Sequence, residues 1–259
     1  MSRTTPLFSF GLLLLTLPTS STAFVRSSMN IRTSIKCFSS RTNSNMLADV
    51  NSFHNMFYAL RHGQSLANVA GIISSDPKIS TIEHGLSTTG VQQAQNAAQA
   101  FTTSLQTNSN TSPRRVAIYS SDFLRAKETA QIMADACLAS GVELYKGNVM
   151  LETRLRERYF GEWNGGSDEF YQMVWDVDQT DPNHVESGVE SVNSVLSRTT
   201  QLILDIEDEF RALEPHTCIL VAHGDVLQIM QTGFQKIDCS KHRSLPHLET
   251  ATLRELKLG

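Results

Sequence analysis

No acidic residue occurs before Asp49, although the chain of 259 residues holds 26 of them. The first 48 residues instead carry five basic ones, Arg3, Arg26, Arg32, Lys36 and Arg41. The rest has 17 basic against 26 acidic residues, a net charge of −9. A nucleic acid needs a basic footprint, so it is excluded as a partner of this part, and any anionic ligand must be held by locally clustered arginines. Cysteine is scarce too: Cys37, Cys137, Cys218 and Cys239 form no Cys-x-x-Cys and stand at no ligand-like spacing from histidine. Neither a disulfide framework nor a zinc site is indicated, and no carboxylate cluster of magnesium-site character is evident, so no metal or cofactor is expected. Seven prolines, 40% hydrophobic residues and no long apolar tract after the first twenty residues fit one globular domain with an N-terminal extension.

That extension reads as an address. Arg3 precedes an apolar stretch from Leu7 to Leu17 that is too short to span a bilayer, followed by Pro18 and the small-residue site Ser21-Thr22-Ala23. These are the parts of a secretory signal peptide, here residues 1–23. Residues 24–52 continue rich in Ser, Thr, Asn and Arg and are expected to be disordered, because such a tract cannot bury enough apolar surface to fold. A signal with Ala-Phe at its cleavage point and a basic, hydroxyl-rich follower resembles the bipartite presequences of algae with secondary plastids. Plastid import is therefore one expectation, with secretion and a retained signal anchor as the others. No stable membrane association is expected after processing.

From residue 53 to 259, short apolar runs alternate with longer helical patterns, as in an α/β domain with a mostly parallel sheet flanked by helices. Strands are predicted at Phe57-Tyr58-Ala59-Leu60, Val116 to Tyr119, Val142 to Tyr145, Ile219 to Ala222 and Thr250 to Leu258. Helices are predicted from Thr88 to Leu105 behind an N-cap at Ser87, from a Ser121-Asp122 cap to Ala139, from Glu190 to Phe210 and from Val226 to Phe234. Residues 152–189, with Gly161, Gly165, Gly166, Gly188 and both tryptophans, read as an insertion with one short helix near Glu169 to Val177.

Ligands of such sheets bind beyond the carboxyl ends of the strands, where helices begin. Two His-Gly pairs, His62-Gly63 and His223-Gly224, stand at such places after similar apolar leads. A lone His-Gly is usually a turn. Two of them suggest imidazoles facing one ligand, and arginines strengthen the case. Arg61 adjoins the first histidine, and Arg125 lies early in the helix after the second strand. Taken alone, Arg125 would pair with Glu128 or Asp122; taken together, these residues describe an anion pocket of guanidinium forks.

Here the chain resembles the histidine phosphatase superfamily, in its phosphoglycerate mutase-like branch. The matching pieces are Arg61-His62-Gly63-Gln64-Ser65 with Asn68, Leu86-Ser87-Thr88-Thr89-Gly90, Ser120-Ser121-Asp122 to Ala130, Leu155-Arg156-Glu157-Arg158-Tyr159-Phe160-Gly161-Glu162-Trp163, Gly188-Val189-Glu190-Ser191 and Val221-Ala222-His223-Gly224. They occur in family order across residues 57–234. The resemblance implies a three-layer sandwich whose small insertion covers the active site, and a small phosphorylated substrate. It makes His62 the nucleophile, with Arg61, Arg125 and a protonated His223 around the transferred group. Asn68 and Gly224 would bind substrate. Glu157 would be the proton donor, against the plainer reading of a carboxylate paired with Arg156 or Arg158.

The chain departs from that pattern in places. Gln64 stands where the family most often has glutamate. The segment from Gly161 to Gly188 has no Lys or Arg, whereas cofactor-dependent phosphoglycerate mutases place cations there to hold a second anionic end. This favours a phosphomonoester hydrolase over a mutase, with a non-catalytic phospho-ligand module as a third reading. His54, His84, His184, His216, His242 and His247 stand in polar contexts that predict solvated side chains. Trp163, Tyr171 and Trp175 could line a pocket or pack the short helix.

Overall fold

The structure, a computed structural model, describes residues 45–107 and 115–259. The signal peptide and most of the presequence fall outside the described residues. The expected disorder up to residue 52 is corrected at its end: Leu47 is fully buried in the main core, and Asn45 Nδ2 donates to Gly233 O at 3.2 Å. Leu47, with Val50 and the following Phe53 packed against the same core, anchors this otherwise polar stretch.

Strands β1 (Met56–Arg61), β2 (Arg115–Ser120), β3 (Glu143–Leu144), β4 (Met150–Leu151), β5 (Thr217–Ala222) and β6 (Leu253–Leu256) form one sheet. Their order is β3-β2-β5-β1-β6, with β4 also on β2. All pairings are parallel except that of β6, which runs antiparallel along β1. The helices are α1 (Leu66–Ala70), α2 (Pro77–Ser80), α3 (Thr88–Thr107), α4 (Leu124–Ala139), α5 (Phe170–Asp178), α6 (Val192–Phe210) and α7 (Gly224–Phe234). None is long and apolar enough to cross a membrane.

Strand periodicity builds the layers. In β5, Cys218, Leu220 and Ala222 face the cluster formed with α6 and α7, while Ile219 and Val221 face the one formed with α3 and α4. Both faces are covered, so every residue of β5 is buried, which is the condition for an apolar run without polar alternation. The three-layer arrangement read from the sequence is the observed one. Several element bounds differ. The last strand is cut to Leu253–Leu256 because Ala251 takes a positive φ of 55° and its N–H turns back to Arg61 O. The helix placed from Glu190 starts at Val192, capped by Ser191, whose Oγ accepts from Ser194 N. α4 begins after Phe123 without a side-chain cap, so the expected Ser121-Asp122 cap is not formed.

The insertion carries its own small core of Ile73, Phe160, Val174 and Val189. It holds α5 against the carboxyl ends of β1 and β5.

Candidate active site

Parallel register brings the two His-Gly pairs together. Arg61 stands opposite Ala222 in the β1/β5 ladder, and His62 N donates to Ala222 O at 3.0 Å, so His62 and His223 leave adjacent strands side by side. Their ring centroids are 5.1 Å apart. His62 is 3% exposed. Its Nδ1 donates to Gly63 O at 2.7 Å, which leaves the Nε2 lone pair to accept from Arg125 Nε at 3.2 Å. Burial, then Arg125 and Arg61, push its pKa well below the usual histidine value, so the imidazole is neutral. The loop after it is held by close backbone contact with the first turn of α3. A Cβ on Gly63 would lie 2.4 Å from Gly90 O, and one on Gly90 would lie 2.0 Å from Gln64 O.

His223 is fully buried at the N-cap of α7. Its Nε2 shares a 3.0 Å hydrogen bond with Ser121 Oγ, and its Nδ1 has no partner. Ser121 thus serves this histidine, which explains why it does not cap α4 through the expected geometry. The protonated His223 implied by the resemblance is not the state of the empty site. Burial, then Arg125, hold this ring neutral as well.

Arg125 enters from the first turn of α4 and is 3% exposed. Its Nη2 donates to Ser74 O at 2.8 Å, while Nη1 is buried without a partner. The carboxylates that could have claimed it are engaged: Glu128 accepts from Leu86 N at 2.6 Å, and Asp122 takes Arg156 through two bonds of 2.7 and 2.6 Å. Arg61 Nη1 donates to Leu248 O at 2.9 Å and meets His247 Nε2 at 2.7 Å; its Nε is buried and unpartnered.

Glu157 follows a short turn and is 8% exposed. It pairs with neither neighbouring arginine, since Arg156 is bound to Asp122 and Arg158 to Asp178 at 2.6 and 2.7 Å. Its Oε1 accepts only the Arg158 N–H, at 3.0 Å. Burial, reinforced by the negative charge of Asp225, raises its pKa to about 7. A buried carboxyl that is half protonated near neutrality is suited to giving and taking one proton.

These groups border one cleft of about 310 Å³, lined among others by Arg61, His62, Asn68, Arg125, Glu157 and Gly224. Asn68 uses Oδ1 to accept from Ser65 N and Oγ, both at 3.0 Å, which leaves its amide nitrogen to donate. The histidine phosphatase superfamily (branch 1) model matches residues 57–259.

The chain belongs to the histidine phosphatase superfamily.

A metal-independent phosphoserine phosphatase of Arabidopsis thaliana is 28% identical over 177 residues, which span 65% of this chain and 64% of that protein. Among solved structures, a mycobacterial glucosyl-3-phosphoglycerate phosphatase complexed with VO3 is 25% identical, with a TM-score of 0.59 over 78% of this chain and 92% of its own. A mycobacterial hydrolase shares the fold with a TM-score of 0.61 at 23% identity, over 78% of this chain and 88% of its own.

Of the aromatic residues expected to line a pocket or pack the short helix, Tyr171 and Trp175 line the cleft from α5, whereas Trp163 packs tilted against Phe170 outside it. Other parts of the site were announced by no sequence motif. Arg243 and His247 enter the cleft from the segment between α7 and β6. The segment from Gly161 to Gly188 offers the cleft no cation; a third one, Arg243, enters from outside that segment.

Of the six histidines expected to be solvated, His54 and His247 are exposed, His84 is half-buried, and His184, His216 and His242 are buried. His184 is buried with Nε2 at 2.7 Å from Asp178 Oδ1, and His242, wholly buried, has Nε2 at 3.5 Å from Asp225 Oδ1. With Arg158 they compensate two carboxylates under the cleft, one of which, Asp225, also accepts from Trp175 Nε1 at 3.0 Å. His216 is buried against Phe210, stacked at 4.2 Å, and His84 Nδ1 meets Ser74 Oγ at 2.8 Å. His54 is exposed as expected.

Proposed function

We propose that this protein is a metal-independent phosphomonoesterase acting on a small phosphorylated metabolite through a phosphohistidine at His62. One observation carries the reading: around a neutral imidazole stand three buried polar nitrogens with no hydrogen-bond partner among the described residues, Arg61 Nε, Arg125 Nη1 and His223 Nδ1. Buried polar groups left unpaired are costly, and phosphoryl oxygens are the acceptors that guanidinium forks fit.

In the first step His62 Nε2 bonds to phosphorus as the P–O bond to the leaving group breaks, and the neutral Glu157 carboxyl gives that oxygen its proton. In the second, Glu157 takes a proton from water as the water oxygen bonds to phosphorus and the P–N bond breaks. Inorganic phosphate leaves and His62 is restored. Arg61 and Arg125 stabilise the phosphoryl oxygens in both steps. A dianion beside His223 favours its protonated form, so the ring becomes a second donor when substrate arrives. The phosphatase names of the relatives support hydrolysis over isomerisation.

The test is release of inorganic phosphate from a panel of phosphomonoesters, with and without chelator. Activity is expected to persist in chelator, and rapid quenching is expected to trap an acid-labile phosphoenzyme that His62→Ala lacks. Unchanged turnover of His62→Ala would remove the mechanism. Interconversion of 2- and 3-phosphoglycerate without net phosphate release would make the protein a mutase instead.

A further inference from the structure

Of the ten arginines among the described residues, six are ion-paired with a carboxylate: Arg115, Arg154, Arg156, Arg158, Arg198 and Arg211. Arg254 is satisfied by Gln231 Oε1 and two backbone carbonyls. The remaining three, Arg61, Arg125 and Arg243, pair with no carboxylate, and all three line the same cleft. Arg61 and Arg125 adjoin His62 and are accounted for by the transferred phosphoryl group. Arg243 is not.

Its guanidinium is held ready. The carbon at its centre lies 3.6 Å from the centroid of the Trp175 ring, close enough for stacking as well as cation-π attraction. Trp175 is itself fixed by its bond to Asp225 and by Tyr171, stacked parallel at 5.4 Å with 7° between the planes. Arg243 Nη1 also contacts Gln228 Oε1. The other N–H groups of the fork have no protein partner. Asp225, the nearest carboxylate in charge terms, spends its oxygens on Trp175 and Arg158 and makes no bond to Arg243. Asp225 favours the charge of Arg243 from a distance, but no anion is bonded to the fork, so its use lies with the ligand.

We propose that Arg243 selects phosphomonoesters whose leaving portion carries a carboxylate, which rests on the phosphomonoesterase reading above. The charge count fits: three guanidinium forks meet the two charges of a phosphomonoester dianion and the one of a carboxylate. A second phosphate would bring a further charge against Asp225 and Asp168, both of which border the cleft. His247 offers a neutral ring beside the fork, since burial and then Arg61 lower its pKa. A planar carboxylate matches a guanidinium edge in two parallel bonds.

Two matched pairs of substrates isolate this group: phosphoserine against phosphoethanolamine, and 3-phosphoglycerate against glycerol 3-phosphate. The protein is expected to favour the carboxylate-bearing member of each pair by about tenfold or more in kcat/KM, as a charged hydrogen-bonded contact allows. Arg243→Gln should bring both ratios to within about threefold of unity, chiefly by raising KM for the carboxylate-bearing member, and Arg243→Lys should keep part of the preference. Ratios near unity in the unaltered protein, a result that depends on no variant folding, would overturn the assignment. So would ratios that survive Arg243→Gln. Release of phosphate from other phosphomonoesters of the panel but from none of these four would overturn it too, whereas release from no phosphomonoester would overturn the phosphomonoesterase reading, and this assignment with it.

Discussion

Glu157 concentrates the chemistry into one side chain whose behaviour follows from its surroundings. Its carboxyl ionises near pH 7, so it holds a proton below that value and loses it above. A leaving alkoxide needs that proton. The value of kcat/KM for an alkyl phosphate should therefore fall as pH rises through about 7, and Glu157→Gln should abolish this limb. The same variant should lower turnover of alkyl phosphates by about 10²- to 10⁴-fold, and that of p-nitrophenyl phosphate much less, because a nitrophenolate departs unprotonated. Parallel pH-rate profiles on the two substrates check this, and equal losses on both would take the proton-donor role away from Glu157. The motif around Glu157 gave its identity; its isolation from Arg156 and Arg158 was not legible. Those arginines are drawn off by Asp122 and Asp178, which are distant in sequence.

Among the elements, the seam between the His62 loop and α3 sets the position of His62, the proposed nucleophile. Gly63 lies against the backbone of Gly90, and Gly90 against that of Gln64, so closely that neither site has room for a Cβ. Gly90→Ala should destabilise the domain by about 1–3 kcal/mol, as overpacking does, and reduce kcat because the displaced backbone carries His62 with it. Chemical denaturation and steady-state kinetics on the one variant measure both. Loss of stability with kcat unchanged would show that the seam does not position His62. The long helices and central strands were legible because each buries a stripe or an alternating face, and that periodicity is written locally. α1 and α2, with five and four residues, and the two-residue strand β4 are too short to show a period, and β3 is only the middle of the strand expected from Val142 to Tyr145. The histidines of the insertion and of the segment after α7 looked solvated for a related reason. Polarity predicts exposure only until a buried carboxylate compensates it, as Asp178 does for His184.

For the whole molecule, charge and connectivity matter most. Outside the first 48 residues the protein carries −9, and the three arginines that lack a carboxylate partner among the described residues lie within a single cleft. Titration of the protein with duplex DNA or single-stranded RNA near 0.15 M salt should show no binding; salt-sensitive micromolar binding would contradict the reading of the charge pattern. The cleft draws on residues from Arg61 to His247. Its motif-bearing half was readable because strand ends announce themselves, whereas Arg243 and Trp175 meet only through tertiary packing.

The pairing of β6 with β1 has a consequence for synthesis. The strand that ends at the nucleophile is made early, yet one of its two neighbours, Leu253–Leu256, is nearly the last part of the described chain to be made. Until then a growing chain presents β1 as a bare edge able to pair with any other unfinished strand nearby. Arg243 and His247 emerge just before that edge is closed. If Arg243 has the role proposed for it, competence to choose a substrate and protection from aggregation are acquired together, late in the synthesis of the described residues.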